Sequence, residues 1–268
     1  MTIEETVDKI ASSKKYKFLC KETIQNVLEE YVIIHKELKR ALPYAKKSLH
    51  KIWASYLGEP NYKRTKERLT EAFEVKDDEL IKEICMDTMY VHSSARERIQ
   101  LYEQGYYEHI FAKTGIPSKI SDLACALHPL SYRWMNLPAE TQYFAYDINR
   151  NFTDLLAHYF ELEGISPTPI WQDIYVIPPT DHVDVALLFK MYHCLEIRKK
   201  GAGLAVVKQT PADWIVISFP AQNLVGKKAD IYGNYSAGIR QAAEERGWEL
   251  TEELFENEML VIIRKLSK

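Results

Sequence analysis

Residues 119–148 read KISDLACALHPLSYRWMNLPAETQYFAYDI. Two short apolar runs stand out, Lys119–Ala126 and Gln142–Ile148. Runs of this length, rich in β-branched and aromatic residues, read as buried strands. Further runs follow at Pro169–Val176, Val183–Phe189 and Trp214–Phe219. The stretches between them are long enough for helices, so the spacing predicts βαβ crossovers and a parallel sheet. A last pair, Trp248–Phe255 and Glu258–Arg264, is separated by two residues and reads as an antiparallel unit closing the sheet edge. An acid sits at or near the end of each of the first three runs: Asp122 ahead of the loop Ala-Cys-Ala-Leu-His-Pro, Asp147 in Tyr-Phe-Ala-Tyr-Asp, and Asp173 in Trp-Gln-Asp-Ile. Doubly wound sheets bind ligands at strand carboxyl ends. The interval from Asp122 to Asp147 is close to the acid spacing of a nucleoside-binding βαβ unit, where a carboxylate accepts two ribose hydroxyls.

Upstream of Gly115-Ile-Pro117 the pattern is helical. Thr2-Ile-Glu-Glu5 fits a capping box. Ile24, Val27, Leu28, Tyr31, Ile34 and Leu38 recur at helical spacing. Pro43 is expected to start the next helix, because proline suits a first turn. In that helix Ala45, Leu49, Ile52, Trp53 and Tyr56 share a face, with Lys46, Lys47 and His50 roughly opposite. Gly58-Glu-Pro60 breaks it, the basic helix 63–68 follows, and 76–113 is again helical by periodicity. The organisation expected is an all-helical unit over residues 1–105 and an α/β, Rossmann-like unit over 106–268. Five parallel strands and a closing pair match the strand count of the sheet used by S-adenosylmethionine (SAM) methyltransferases.

The chain has 268 residues, 46% hydrophobic and 27% charged, with a net charge of -3. This is ordinary globular composition and excludes wholesale disorder. No apolar run approaches the length of a membrane span, and the N-terminus has no apolar signal core, so a cytoplasmic protein is expected. The four cysteines lack CxxC spacing, which points to free thiols. Charge is unevenly placed. Between His35 and Arg68 there are ten Lys/Arg and three Asp/Glu, or +7, which leaves -10 for the rest. Such a block fits a polyanionic partner, although a solvated helix face would also produce it.

Other motifs are sparse. Arg96-Glu-Arg98 lies just before the sheet region, and a guanidinium can clamp a carboxylate through two parallel bonds. His50, His92, His128 and His193 have no metal-ligand spacing, so no metal is expected. A Gly-x-Ser-x-Gly elbow and a Walker loop are both missing, which leaves serine hydrolases and P-loop NTPases unsupported.

An ordered set of short strings resembles the aminoglycoside-resistance 16S rRNA methyltransferases, the Arm/Rmt group. They are Lys-Lys-Ser-Leu-His-Lys-Ile-Trp (46–53), His-Ser-Ser-Ala-Arg-Glu-Arg (92–98) and Asp-Leu-Ala-Cys-Ala-Leu-His-Pro-Leu (122–130), then Ala-Tyr-Asp-Ile (145–148), Leu-Leu-Phe-Lys-Met-Tyr (187–192) and Ile-Ser-Phe-Pro (217–220). Gly226, Asn234-Tyr235 and Asn257-Glu258-Met259 complete the set, which spans nearly the whole chain. The resemblance implies a helical RNA-recognition domain joined to a SAM-binding domain. It implies SAM-dependent methylation at N7 of the guanine numbered 1405 in 16S rRNA, with the 30S subunit as partner, aminoglycoside resistance as outcome and a monomeric enzyme.

By the same resemblance the SAM carboxylate falls on Arg98, the methionine moiety beside Asp122, Ala124 and Ala126, the ribose on Asp147-Ile148 and the adenine near Asp173-Ile174. Lys190 lines the site. Lys15, Lys46, Lys47, His50, Lys51, Lys63, Arg64 and Lys227 match RNA-binding positions, with Glu258 near the site. Tyr192, Phe219 and Tyr235 are candidates for stacking a displaced base. Two departures stand out: Ala95-Arg96 where relatives commonly have Thr-Asn, and alanine at both 124 and 126 where many have glycine. Guanine N7 carries a free lone pair, so its methylation needs no general base, and positioning dominates. Two other readings stay open: a SAM- or RNA-binding homologue with no or altered methylation, and a small-molecule methyltransferase. The basic helices speak against the second.

Overall fold

The computed structural model describes residues 2–54, 58–221 and 231–266. Seven helices come first: α1 (Ile3–Ala11), α2 (Lys21–His35), α3 (Leu38–Ala54), α4 (Tyr62–Glu74), α5 (Asp78–Tyr90), α6 (Ser93–Tyr102) and α7 (Tyr106–Thr114). The sheet region follows as β1 (Lys119–Leu123), α8 (Tyr132–Met135), β2 (Gln142–Asp147), α9 (Arg150–Glu163), β3 (Ile170–Trp171), β4 (Val183–Phe189), α10 (Tyr192–Arg198), α11 (Ala202–Gln209), β5 (Ala212–Pro220), α12 (Gly233–Arg246), β6 (Glu249–Phe255) and β7 (Glu258–Arg264). The strands form one sheet in the order β3-β2-β1-β4-β5-β7-β6. β1 to β5 are parallel, and β7 runs antiparallel between β5 and β6. Among the described residues no helix is long and apolar enough to cross a membrane.

Each strand feeds both sheet faces, because successive side chains alternate. Val185, Leu187 and Phe189 of β4 enter a core shared with α4–α7 and α9. Ala186 and Leu188 enter the opposite core, with Val206 of α11 and Ile239 of α12. Full burial of a Leu or Phe contributes roughly 1.5–3 kcal/mol. A third core belongs to α1–α3, where Val7, Ile24, Leu28, Ala45 and Leu49 pack together, with Ile148 from the end of β2 against them. The expected capping box at Thr2 and Glu5 is present in both directions.

Three local expectations are corrected. Pro43 does not start a helix; it sits inside α3, which begins at Leu38. Ala41 N–H already bonds the Glu37 carbonyl, so the helix is nucleated before the proline removes one later donor. The third strand is two residues long rather than eight. Val176 and Ile177 N–H both turn back to the Asp173 carbonyl, which folds the chain off the edge of the sheet. Asp173 therefore lies in a turn beyond β3, not within it. The first strand stops at Leu123, where Ala124 adopts a left-handed φ of 55°. Gly58 does mark the break after α3: a Cβ there would lie 1.8 Å from the Val91 carbonyl oxygen, so only glycine lets 58–60 pass against the turn leading to His92. Tyr56, expected on the apolar face of α3, lies outside the described residues.

Candidate active site

The carboxyl ends of β1, β2 and β4 open into a cavity of about 460 Å³. It sits where strand order reverses between β1 and β4, the position at which open α/β sheets take ligands. Its volume falls in the range of small-molecule sites.

Asp147 ends β2 on the cavity wall. Its Oδ2 accepts the Ala126 N–H and its Oδ1 the Asn149 N–H, each at 2.8 Å. Burial raises its carboxyl pKa to about 6, although both N–H groups favour the anion. Each oxygen keeps a further lone pair, so the carboxylate can accept two hydroxyls. The turn that supplies the Ala126 N–H has the shape glycine would give it: φ is 55° at Ala124 and 48° at Ala126. The left-handed region costs a residue with a Cβ roughly 1–2 kcal/mol.

Asp122, in β1, is held from two sides. His128 Nδ1 lies 2.6 Å from its Oδ2, and the Tyr143 hydroxyl donates to the same oxygen at 2.9 Å. Burial lowers the His128 pKa, against the pull of Asp122. The neutral ring then donates from Nδ1 to Asp122, and its Nε2 lies 2.7 Å from the Tyr107 hydroxyl.

At the other end of the cavity a buried ion cluster joins α6, α7 and β7 with Lys190 in the turn after β4. Glu258, fully buried at the start of β7, lies 2.8 Å from Lys190 Nζ and 3.4 Å from Arg98 Nε, and accepts the Tyr106 hydroxyl at 2.8 Å. Lys190 also meets Glu97 at 2.5 Å. Burial alone would raise the Glu258 pKa, but Lys190 and Arg98 outweigh it and hold the carboxyl below its ordinary value. His92, on the same wall, is pushed down to about 4 by burial and by Arg98, so it is neutral near pH 7.

Asp173 ties the site to α2. Its Oδ2 accepts the Thr23 hydroxyl and Arg198 Nη1, both at 2.7 Å, and its Oδ1 accepts the Tyr175 N–H at 3.1 Å. Its own N–H donates to Glu22, Arg198 Nη2 donates to Asn26, and Lys199 bonds Glu30.

All nine positions expected to touch the cofactor line this cavity: Arg98, Asp122, Ala124, Ala126, Asp147, Ile148, Asp173, Ile174 and Lys190. The expected RNA positions divide. Lys15, Lys46, His50, Lys63 and Arg64 are exposed away from it, whereas Lys47 and Lys51 line it from α3. Lys227 and Gly226 lie outside the described residues. Tyr192, Phe219 and Tyr235 do meet one another, with ring centroids 5.5 to 6.3 Å apart, but none lines the cavity. Tyr31, Tyr44, Trp53, His92, His128, Phe152 and Arg198 line it and were not foreseen. For α3 the signal was present in the sequence: positions 44, 47, 48 and 51 follow helical spacing and form a second face beside the apolar one.

The family model described as ribosomal RNA methyltransferase (FmrO) matches residues 12–263. The chain belongs to this ribosomal RNA methyltransferase family. Its similarity to single members is lower but spans whole chains. It is 30% identical to the 16S rRNA (guanine(1405)-N(7))-methyltransferase of Frankia casuarinae, over 98% of this chain and 95% of that one. It is 29% identical to the same-named protein of Micromonospora rosea, over 98% and 97%. Among solved structures, the 16S rRNA methylase RmtB superposes with a TM-score of 0.79 at 24% identity, over 99% of both chains. That likeness speaks to the fold, and it extends to the helices ahead of the sheet.

Proposed function

We propose that this member of the FmrO family methylates N7 of guanine 1405 in the 16S rRNA of the 30S subunit, with SAM as methyl donor. The observation that carries the reading is the cavity at the strand switch point, where all nine sequence-singled residues converge. The whole-length similarity to enzymes named for that reaction supports it, as does the RmtF structure in complex with S-adenosyl-L-homocysteine, superposing with a TM-score of 0.79.

The donor set suits SAM. Asp147 offers two oxygens for the ribose hydroxyls, the apolar side chains of Ile148, Ile174 and Leu195 suit the adenine, and Arg98 offers a cation for the amino-acid carboxylate. Glu258 orients Arg98 and Lys190 from behind. SAM supplies an electrophilic methyl group on a sulfonium. Residues 1–105 recognise the rRNA, with Lys15, Lys46, His50, Lys63 and Arg64 on phosphates, and residues 106–268 hold the cofactor. The lone pair on guanine N7 is free, so the chain has to align its substrates rather than remove a proton. An N7-methylguanine carries a positive charge in the decoding-site helix. That charge repels a polycationic aminoglycoside, which gives resistance. The enzyme works as a monomer in the cytoplasm, where its substrate is.

A second reading, a SAM- and RNA-binding homologue with no or altered methylation, is favoured by Ala124 and Ala126 at φ values that glycine adopts without cost. Purified chain incubated with 30S subunits and methyl-labelled SAM separates the two. Label entering 16S rRNA supports the enzyme; SAM binding by calorimetry without label transfer supports the second reading.

A further inference from the structure

Three aromatic rings stand at the α3 side of the cavity mouth. His35 stacks on Tyr44 with centroids 4.3 Å apart and planes 18° apart. Tyr31 lies 6.2 Å from each, at 15° and 19°. Tyr31 and Tyr44 line the cavity, while Tyr44 remains 52% exposed. Elsewhere among the described residues the stacked pair Tyr102 and Tyr107 is buried in the core, where rings of this kind serve packing. Tyr31 also packs against the α1–α3 core, whereas Tyr44 is exposed and stands outside that core. Ile197, which also lines the cavity, is 72% exposed, so the lining includes an apolar side chain open to solvent.

Lysines dominate the charge near the rings, with Glu37 beside them and Glu59 on the cavity wall as acids. Lys47 and Lys51 lie on the same face of α3 as Tyr44, one and two turns on, and both line the cavity. Lys36, between the two helices, and Lys39, in the first turn of α3, are exposed. Glu37 is engaged by Arg40 at 2.9 Å. Adenosine carries no anion to meet these ammonium groups, whereas an RNA strand carries one per nucleotide. Bases inside an A-form helix are stacked on both faces. Single-stranded bases are read by stacking on aromatic side chains, with cations tracking the backbone.

We propose that Tyr31, His35 and Tyr44 form a stacking platform for an unpaired base of the substrate RNA, with Lys47 and Lys51 on the adjoining phosphates. This rests on rRNA being the substrate. α3 then has two working faces: Lys46 and His50 look outward, and Tyr44, Lys47 and Lys51 look into the mouth beside the cofactor cavity. Lys47 and Lys51 are thereby assigned to a single-stranded segment entering the site, apart from the cations on the outer surface.

The test compares wild type, Tyr44→Ala and Tyr44→Trp for equilibrium binding to 30S subunits, for methylation kinetics and for SAM binding by calorimetry. Tyr44 is half exposed, so thermal unfolding of the variants stays near wild type. Tyr44→Ala weakens 30S binding roughly five- to a hundredfold, the size of one lost base stack. KM for 30S rises in step, SAM affinity does not move, and Tyr44→Trp restores binding because any π face serves. Unchanged 30S binding in Tyr44→Ala overturns the platform. So does failure of Tyr44→Trp to recover, or a parallel fall in SAM affinity, which would give the rings to the cofactor. A wild-type chain that binds 30S without methylating it contradicts the proposed activity instead, and the binding comparison still decides the platform. A wild-type chain that does not bind 30S contradicts both.

Discussion

Asp147 is the residue on which the proposed cofactor binding turns. In its proposed role as acceptor of both ribose hydroxyls it makes a charge-assisted pair of bonds worth about 1.5–3 kcal/mol in all. Asp147→Ala is expected to weaken SAM binding roughly ten- to a hundredfold, as read by calorimetry on folded protein; an unchanged Kd rejects the role. The same group sets a pH dependence. Its folded pKa is raised to about 6 from 3.8. The apo protein therefore protonates it first as pH falls, and SAM affinity declines below about pH 6, by up to tenfold per unit. Asp147→Asn removes that slope. The sign for stability is opposite to that of a salt-bridged acid. Between pH 3.8 and 6 the folded state holds the extra proton, so this group's contribution to stability falls as pH rises through that window. The alanines ask a different question. With φ of 55° and 48° they occupy glycine's region. Ala124→Gly/Ala126→Gly is expected to stabilise by about 1 kcal/mol after the entropy of two glycines is subtracted, raising Tm by about 2–4 °C. An unchanged or lower Tm means these positions are not strained. The acids were legible in sequence because strand ends and ligand sites coincide in this architecture. The His128–Asp122 contact was not, because a histidine in a loop shows its partner only once the loop folds back.

At the scale of elements, β1, β2, β4, β5 and the β6–β7 pair were readable from apolar runs within a few residues. β3 was over-read because apolar residues continue past Trp171 while the Asp173 turn does not announce itself. α3 was misplaced at its start, since proline is tolerated where the preceding turn is already bonded. The tie between α2 and the cavity was invisible, because Thr23, Asn26 and Glu30 meet Asp173, Arg198 and Lys199 across 150 to 172 residues of sequence. Arg198→Ala leaves the buried Asp173 carboxylate short of its cation, and breaking such a pair costs about 3–5 kcal/mol. Thermal unfolding should show a fall on the order of 10 °C; a shift under about 2 °C would remove the tie from the account. On the outer side of α3 and on α4, charge removal at Lys46, Lys63 and Arg64 should flatten the salt dependence of 30S binding. The change expected is about 0.7–0.9 in log–log slope per lost phosphate contact, without moving SAM affinity. An unaltered slope would return these residues to a solvated helix face.

The whole molecule joins a cationic helical segment to a sheet whose switch point carries a nucleoside-type acid. The +7 block between His35 and Arg68 sets one end, and the cavity under α3 sets the other. Charge alone could not separate an RNA surface from a solvated one; it gains meaning because α3 closes the mouth of the cavity. The central claim is methyl transfer to one atom of one nucleotide, and its most direct test is to map that nucleotide. Purified 30S subunits are incubated with the chain and SAM, the 16S rRNA is extracted, and N7-methylguanine is located by borohydride reduction and aniline cleavage. Strand scission at guanine 1405, missing without the chain and reduced with Asp147→Ala at limiting SAM, is the predicted result. Methylation at an adenine, cleavage at a different guanine, or no modification while SAM is bound would contradict it.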